Sequence, residues 1–232
     1  MSDETTTAAA PLTVVLVHGA FADASGWNGV IERLQANGVQ VTAPPNPLRG
    51  ISIDSAYIAS FLNQIPGPVL AVGHSYGGAV ITNAATNANN VVGLVYVAAF
   101  APDEGERLID IESNSRDSVL NTALVPLQYP TGQGAETAVE LAIDPAQFHD
   151  AFAADLPAEQ TAVMGRWVAA WKNLPSWAVV TTGDKTVGSD VVRSMAERAG
   201  ATITEVEGSH VIMISQPQVV TEVILRALKD VE

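Results

Sequence analysis

The sequence predicts a doubly wound α/β fold, with a mainly parallel sheet and helices on both of its faces. Three observations support this prediction. Short apolar runs of strand character alternate with helical stretches along most of the chain, and repeated βα units of this kind form parallel sheets. Several runs are apolar at every position, which is typical of strands buried on both faces. One run, 68–72, ends abruptly in Gly-His-Ser-Tyr-Gly and leads directly into a helical stretch.

The individual elements follow from the same signals. A β-branched strand at 12–17 precedes a helix at 25–36, which Asn37 and Gly38 end. Clusters of proline close the next strand and the next helix. The predicted strands are 12–17, 39–43, 68–72, 91–99, 177–182 and 201–206, and the predicted helices are 25–36, 52–64, 78–85, 189–199 and 215–231.

One long stretch, 102–174, interrupts this alternation. It is rich in Asp, Glu, Gln, Pro and Gly, and Pro157 opens a helix inside it that carries Trp167 and Trp171. We interpret 102–174 as a cap insertion in a core made of 12–101 and 175–232. The polar residues 1–11 are predicted to be a disordered tail, and they lack the basic and apolar regions of a secretory signal.

Composition narrows the classes of function. With 232 residues, 47% of them hydrophobic and 16% charged, the chain has the size and core of one α/β domain, with or without an insertion. It contains no cysteine, which excludes disulfides, thiolate catalysis and cysteine-ligated metals. The net charge of −14 makes nucleic acid and anionic membranes poor partners. No apolar run reaches the length of a membrane span, so a cytoplasmic location is expected.

The stretch Gly73-His-Ser-Tyr-Gly77 has the strand–turn–helix context of a nucleophile elbow. The turn is so tight that glycine suits both ends, and it leaves Ser75 exposed at its tip, above a helix N-terminus that favours a nearby oxyanion. The alternative is a glycine-rich turn with an incidental serine. A phosphate-binding loop is disfavoured because no Gly-Lys-Ser/Thr follows.

A serine nucleophile needs a base, and the chain has four histidines. His210 is the candidate base because its loop follows the last predicted strand. His18 is expected to shape the loop after the first strand through hydrogen bonds. His74 diverges from the neighbouring serine at the turn, and His149 is interpreted as a solvated or locally bonded histidine of the insertion.

The base in turn needs a carboxylate that fixes its tautomer. Asp184 follows the strand 177–182 and is the preferred candidate, with Asp103, after the preceding strand, as its rival. The chain order is then Ser, Asp, His. Two backbone N–H groups, those of Ala20 and Tyr76, are expected to form an oxyanion hole.

These motifs resemble those of the α/β-hydrolase superfamily over residues 12–230. The resemblance is carried by Val-His-Gly-Ala-Phe, Gly-His-Ser-Tyr-Gly-Gly, Val-Ala-Ala-Phe-Ala-Pro-Asp-Glu-Gly-Glu and Glu-Gly-Ser-His. Within the superfamily the chain is similar to bacterial esterase-like hydrolases related to plant methylesterases and hydroxynitrile lyases. The resemblance implies a six-stranded core and a small, mostly helical cap.

The resemblance also has departures that bear on function. Relatives often carry proline soon after the catalytic Asp, whereas Val187-Gly188-Ser189 stands here, which puts the rigidity of that loop in doubt. The plant lyases have Thr in place of Gly19 and Lys after the catalytic His, where this chain has Val211. These differences favour the esterase branch.

The predicted activity is cofactor-independent hydrolysis of a small or medium carboxylic ester through an acyl-enzyme, with no metal. Phe21, Phe100, Trp167 and Trp171 are expected to line the substrate pocket, although packing between cap and core explains the two tryptophans equally well. A lyase, a perhydrolase or haloperoxidase, and a non-catalytic binding relative remain alternatives. The expected partner is a small-molecule ester, and the chain is expected to be a monomer or homodimer.

Overall fold

Strands and helices alternate along residues 10–132, 135–156 and 175–231, which are the residues that the computed structural model describes. In this part the strands are, in chain order, β1 (Thr13–Val17), β2 (Gln40–Thr42), β3 (Val69–His74), β4 (Val91–Val97), β5 (Leu124–Pro130), β6 (Thr137–Ile143), β7 (Ser176–Thr181) and β8 (Thr202–Val206). The helices are α1 (Asn28–Ala36), α2 (Ile51–Leu62), α3 (Tyr76–Ala85), α4 (Leu108–Ser113), α5 (Leu120–Ala123), α6 (Phe148–Phe152), α7 (Ser189–Arg198), α8 (Ile212–Ser215) and α9 (Pro217–Val231). A turn of 3-10 helix at Ala24–Trp27 precedes α1.

Six of the strands form one sheet in the order β2-β1-β3-β4-β7-β8, and every neighbouring pair in it is parallel. Every residue of β1, β3 and β7 is buried, as expected for strands that are covered on both faces. The predicted doubly wound, mainly parallel sheet of six strands is therefore confirmed.

Helices cover the sheet in two groups. Helix α1 packs against α9, and α2 packs against α3. In α9 the buried positions recur at helical spacing, with Val220, Val223, Ile224, Ala227 and Leu228 facing the core. Helix α3 is buried along most of its length, which suits its Ala- and Gly-rich sequence next to the central strand β3.

The insertion contains strands as well as the helices that the resemblance implies. Its described part contains three short helices, α4 to α6, and an antiparallel hairpin of β5 and β6 with Leu124 opposite Ile143. This hairpin was not predicted from the sequence, because Pro126 and Pro130 interrupt the strand pattern of β5. In a two-stranded hairpin both strands are edges, and proline is tolerated there.

Strand order brings the candidate residues to one edge of the sheet. The loops after β1, β3, β7 and β8 all leave from the carboxyl ends of parallel strands, where sites of such sheets lie. Strand β1 is next to β3, and β7 is next to β8. The loop that follows β7 is joined to the loop that follows β8 by a hydrogen bond from the N–H of Gly183 to the carbonyl of Gly208 (3.0 Å).

Candidate active site

Ser75 occupies the turn between β3 and α3. Its backbone has φ 53° and ψ −120°, a conformation that a non-glycine residue rarely adopts and that indicates local strain. The turn is also closely packed, since a Cβ on Gly73 would lie 2.5 Å from backbone atoms of Gly77. Only glycine fits such an approach. The backbone therefore has the tight strand–turn–helix geometry that the Gly-x-Ser-x-Gly motif predicts.

Hydrogen bonds from the neighbouring strand hold this turn in place. The N–H of Ser75 donates to the carbonyl of Val97 (3.2 Å), and the carbonyl of Ser75 accepts from Gly78 (3.1 Å) and Phe100 (3.0 Å). The strain at Ser75 is thus balanced by bonds on both of its sides, and the serine stays at the edge of the sheet.

Asp184 and His210 form a buried pair at the same edge. Nδ1 of His210 lies 2.8 Å from Oδ2 of Asp184, and both residues are almost fully inaccessible to solvent. Because the carboxylate oxygen accepts, Nδ1 carries the hydrogen and Nε2 carries the lone pair. This is the tautomer that a general base for a serine requires.

The loop that carries Asp184 is well fastened, despite the absence of a proline there. Oδ1 of Asp184 accepts from the N–H groups of Thr186 (2.9 Å) and Val187 (3.0 Å), and the N–H of Asp184 donates to Oγ of Ser189 (3.1 Å). Val187 thus bonds the carboxylate and Ser189 bonds the backbone of Asp184, so the loop is held without a proline.

The rival residues have other partners. Oδ1 of Asp103 accepts from the N–H of Glu104 (3.0 Å) within a turn. His149 contacts Asp150 (2.9 Å) and the carbonyl of Leu156 (2.9 Å), and the hydrogen bond with Asp150 raises its pKa. The structure therefore pairs His210 with Asp184 and not with Asp103.

His74 is hydrogen-bonded to the backbone of His210. Its Nε2 donates to the carbonyl of His210 (3.0 Å), and the two rings lie 4.8 Å apart between centroids. Burial, followed by the neighbouring His210, holds the pKa of His74 well below its ordinary value. Nε2 of His210 is buried and makes no hydrogen bond within the described residues, so its bond to the Ser75 hydroxyl is not formed in this conformation.

The loop after β1 is fixed by His18. Its Nδ1 donates to the carbonyl of Gly19 (3.0 Å), while its Nε2 accepts from the N–H of Asn46 (2.9 Å). Burial lowers the pKa of His18, which favours this neutral form. Within the described residues the N–H groups of Ala20 and Tyr76 have no acceptor, and free N–H groups at such a loop and at a helix N-terminus can bind an oxyanion.

The aromatic side chains near this edge are buried. Phe21 has φ 62° and packs edge-to-face on Phe152, with ring centroids 5.8 Å apart. The ring of Phe152 also lies 4.8 Å from that of His210. Phe100 is tied to Ser75 through its backbone. Trp167 and Trp171, which the sequence analysis assigned to the pocket, lie outside the described residues.

Three residues of this region were missed by the sequence analysis. Phe152 covers His210 from the insertion, and Asp155 binds the loop of His210. Asp54, fully buried in α2, accepts a hydrogen bond from the hydroxyl of Tyr76. No local motif marks them, because each meets the site only through contacts between distant parts of the chain.

The residues that the structure describes contain neither a metal-ligand cluster nor a membrane-spanning helix. No group of three or more His, Asp or Glu side chains is arranged there to hold a metal ion. None of the helices in these ranges combines the length and the apolar character needed to cross a membrane.

The fold and this edge define the class of protein. The model of the alpha/beta hydrolase family matches residues 14–223, and the chain belongs to this family. Its sequence is similar to that of a carbendazim hydrolyzing esterase from Nocardioides sp. (strain SG-4G), with 32% identity over 108 residues. That match covers 41% of this chain and 45% of the relative, so it spans less than half of the relative's length.

Solved structures share the whole architecture. The structure of polyneuridine aldehyde esterase matches with a TM-score of 0.77 and 20% identity, covering 94% of this chain and 99% of the other. A pyrethroid hydrolase from Sphingobium faniae JZ-2 matches with a TM-score of 0.75 and 20% identity over 95% and 98% of the two chains. Tomato methylketone synthase I matches with a TM-score of 0.73 and 19% identity over 96% and 100%. At these identities the structural likeness is evidence for the fold alone.

Proposed function

We propose that this protein is a carboxylic ester hydrolase in which Ser75 is the nucleophile, His210 the general base and Asp184 the residue that orients the base. One observation supports this above all others. A buried imidazole is held by a carboxylate in the tautomer that leaves Nε2 able to accept a proton, at the sheet edge where the serine sits in its strained turn.

The acylation step follows from these positions. Nε2 of His210 takes the proton of the Ser75 hydroxyl as Oγ attacks the ester carbonyl carbon. The carbonyl oxygen becomes an oxyanion, which accepts hydrogen bonds from the N–H groups of Tyr76 and Ala20. As the oxyanion collapses, the bond to the alcohol oxygen breaks, and the alcohol leaves with the proton from His210.

Deacylation repeats these steps with water as the nucleophile and Oγ of Ser75 as the leaving group. A water molecule gives a proton to Nε2 of His210 as its oxygen attacks the acyl carbon. The second oxyanion collapses, the bond to Oγ of Ser75 breaks, and the proton returns to Oγ. The carboxylic acid is released and the enzyme is restored with no cofactor consumed.

The surroundings favour small or medium esters with apolar groups. Phe152 packs against both His210 and Phe21, and all three side chains are buried, so an apolar group would be accommodated beside the base. Phe100 is bonded to the serine turn and is proposed as a further wall. The names of the similar proteins, a carbendazim hydrolyzing esterase, a pyrethroid hydrolase and polyneuridine aldehyde esterase, agree with ester-type chemistry.

The same site disfavours hydroxynitrile lyase activity. A Cβ on Gly19 would lie 2.7 Å from the carbonyl oxygen of His74 and 2.7 Å from Cβ of Ser75, so the threonine of the lyases does not fit in this loop conformation. Val211, fully buried, stands where the lyases have lysine. A leaving cyanide anion would therefore find no lysine at position 211, and uncompensated charge in a buried site is unfavourable.

A side-by-side assay tests the proposal. The wild-type protein should hydrolyse p-nitrophenyl butyrate, release no cyanide from mandelonitrile above background, and be labelled at Ser75 by a fluorophosphonate. Ser75→Ala should lose hydrolysis by several orders of magnitude, on the order of 10⁴-fold or more, as well as labelling. Serine-dependent cyanide release without ester cleavage would favour a lyase, and full activity in Ser75→Ala would exclude the proposed mechanism.

A further inference from the structure

The segment 148–156 of the insertion lies directly over the candidate base. The ring of Phe152 packs on the His210 imidazole and also meets the ring of His74 at 6.4 Å between centroids. Phe148, one turn earlier, packs behind Phe152 at 5.1 Å. This segment therefore contacts the imidazole that Asp184 holds from another element.

Asp155, at the end of this segment, is bonded to residues on both sides of His210 in the chain. Its Oδ2 accepts from the N–H of Ser209 (3.0 Å) and from the hydroxyl of Ser215 (2.6 Å), and its Oδ1 accepts from the hydroxyl of Ser209. Burial pushes the pKa of Asp155 upward, but the bonds from Ser209 and Ser215 outweigh it, and the pKa lies below its ordinary value. The carboxylate is thus ionised at neutral pH, and its hydrogen bonds are of the stronger, charge-assisted kind.

The same segment is also fastened to the loop of the carboxylate. The hydroxyl of Thr186 donates to the carbonyl of Ala151 (2.6 Å), while the N–H of Thr186 donates to Oδ1 of Asp184 (2.9 Å). One short piece of the insertion therefore holds both loops whose side chains meet in the bond between Asp184 and His210. Neither of these links can be read from the motifs that identify the site.

We propose that Asp155 is a positioning residue, which anchors the insertion to the loop Ser209–Ser215 and thereby keeps His210 aligned with Asp184 beneath Phe152. The expected effect of Asp155 on activity rests on the proposed function, whereas its effect on the hydrogen bond between His210 and Asp184 does not. Among the described residues the Asp155 carboxylate is bonded to Ser209 and Ser215 and not to a reacting atom, so it acts through them.

Loss of the carboxylate would free the loop around His210. The bonds of Asp155 to Ser209 and Ser215 would break, while the bond from His74 to the His210 carbonyl would remain. The imidazole would then be held at fewer points. Since a displacement of about 1 Å in a catalytic group can lower a rate by about 10²-fold, we expect kcat to fall by that order with little change in KM.

The test compares four variants with the wild-type protein: Asp155→Ala, Asp155→Asn, Ser215→Ala and the control Asp150→Asn. Asp150 belongs to the same segment, but its side chain is 88% exposed and bonds only His149 among the described residues. Asp155 lies at the surface with its carboxylate partly buried against Ser209, so its truncation opens no cavity in the core. Folding is checked by circular dichroism and thermal unfolding.

Two readouts are measured for each variant. The first is kcat and KM for p-nitrophenyl butyrate. The second is the far-downfield proton NMR signal of the Nδ1–H of His210, which reports its hydrogen bond to Asp184 and is assigned by its loss in His210→Gln. This second readout does not require catalysis, so it distinguishes a failure of the positioning role from a failure of the proposed function.

We expect Asp155→Ala to lower kcat by about 10²-fold and to shift or broaden the downfield signal, with smaller changes of both in Asp155→Asn and Ser215→Ala and none in Asp150→Asn. If Asp155→Ala does not fold, the two milder variants decide. The inference would be overturned if the Asp155 and Ser215 variants had the same kcat and the same downfield signal as Asp150→Asn. So would a loss of kcat that leaves the signal unmoved. An inactive wild type whose signal still depends on Asp155 would refute the esterase proposal and keep the positioning role.

Discussion

Replacement of Asp184 by asparagine should inactivate the enzyme without changing the shape of the site. Oδ1 of Asp184 accepts from the N–H groups of Thr186 and Val187, while Oδ2 faces Nδ1 of His210. In Asp184→Asn the amide oxygen must stay at the Oδ1 position, because an NH₂ group there would face two donors. The NH₂ group is then forced to face Nδ1 of His210.

The consequence is the wrong tautomer of the base. An NH₂ group donates, so Nδ1 of His210 must accept and the ring hydrogen moves to Nε2. Nε2 can then no longer take the proton of Ser75. The corresponding change in a serine protease lowers kcat by about 10⁴-fold, and a loss of that size equals about 5.5 kcal/mol of activation free energy. Because two backbone donors fix the amide here, we expect a loss of the same order.

The assay is kcat for p-nitrophenyl butyrate, together with the rate of fluorophosphonate labelling at Ser75. Both should fall in parallel, since both need the base. Asp103→Asn is the matched control, because its carboxylate accepts from Glu104 in a separate turn. The tautomer argument requires a loss of about 10⁴-fold in Asp184→Asn, so a loss of kcat below about tenfold would refute it. A larger loss in Asp103→Asn than in Asp184→Asn would also refute it.

Three further predictions concern the supports of the site. Burial lowers the pKa of His18 and His74 from the ordinary 6.5. Below about pH 6.5 the unfolded chain therefore binds more protons than the folded one, and the free energy of unfolding falls as the pH falls. Denaturant titrations at several pH values should show this fall, and a stability independent of pH would contradict it. Tyr76→Phe leaves the buried Asp54 without the hydroxyl that it accepts from, and should lower the free energy of unfolding by about 1–3 kcal/mol, measured by urea titration. Gly19→Ala places a Cβ 2.7 Å from the carbonyl oxygen of His74 and should displace the loop after β1, whose Ala20 N–H is proposed to bind the oxyanion. We expect kcat to fall by about 10²-fold, with a smaller effect on KM. Unchanged kinetics would show that this loop is not part of the oxyanion site.

The main sheet was predictable because its four central strands, β1, β3, β4 and β7, are largely apolar runs, and helical stretches alternate with the strands along most of the chain. The candidate nucleophile, base and acid were predictable because each follows a strand end, and parallel strands bring their carboxyl ends to one edge. The hairpin β5–β6 was not, since its strands bury little surface: Leu127 is 48% exposed and Val139 is 63% exposed. Such half-solvated strands lack the apolar signal that marked the core.

The contacts of the insertion with the site were not predictable either. Phe152 and Asp155 stand in a stretch with no periodicity, and their partners lie more than fifty residues away, in the loop of His210. A sequence pattern reports the secondary structure around a residue, but it does not report which loop packs against it. The part of the site built by the insertion therefore becomes visible only in three dimensions.

The three histidines at this edge differ in their hydrogen-bond partners, and this difference supports the proposal that His210 is the base. The lone pair of His18 is taken by the N–H of Asn46. Nδ1 of His74 has no hydrogen-bond partner within the described residues and could accept a proton. However, no hydrogen bond joins this ring to a carboxylate there, and burial holds the pKa of His74 well below its ordinary value. His74 is therefore a weak base. Only His210 combines a lone pair on Nε2 with a carboxylate, that of Asp184, on its other nitrogen. A developing imidazolium would be stabilised by that carboxylate, which is why His210 is proposed to accept the proton of Ser75.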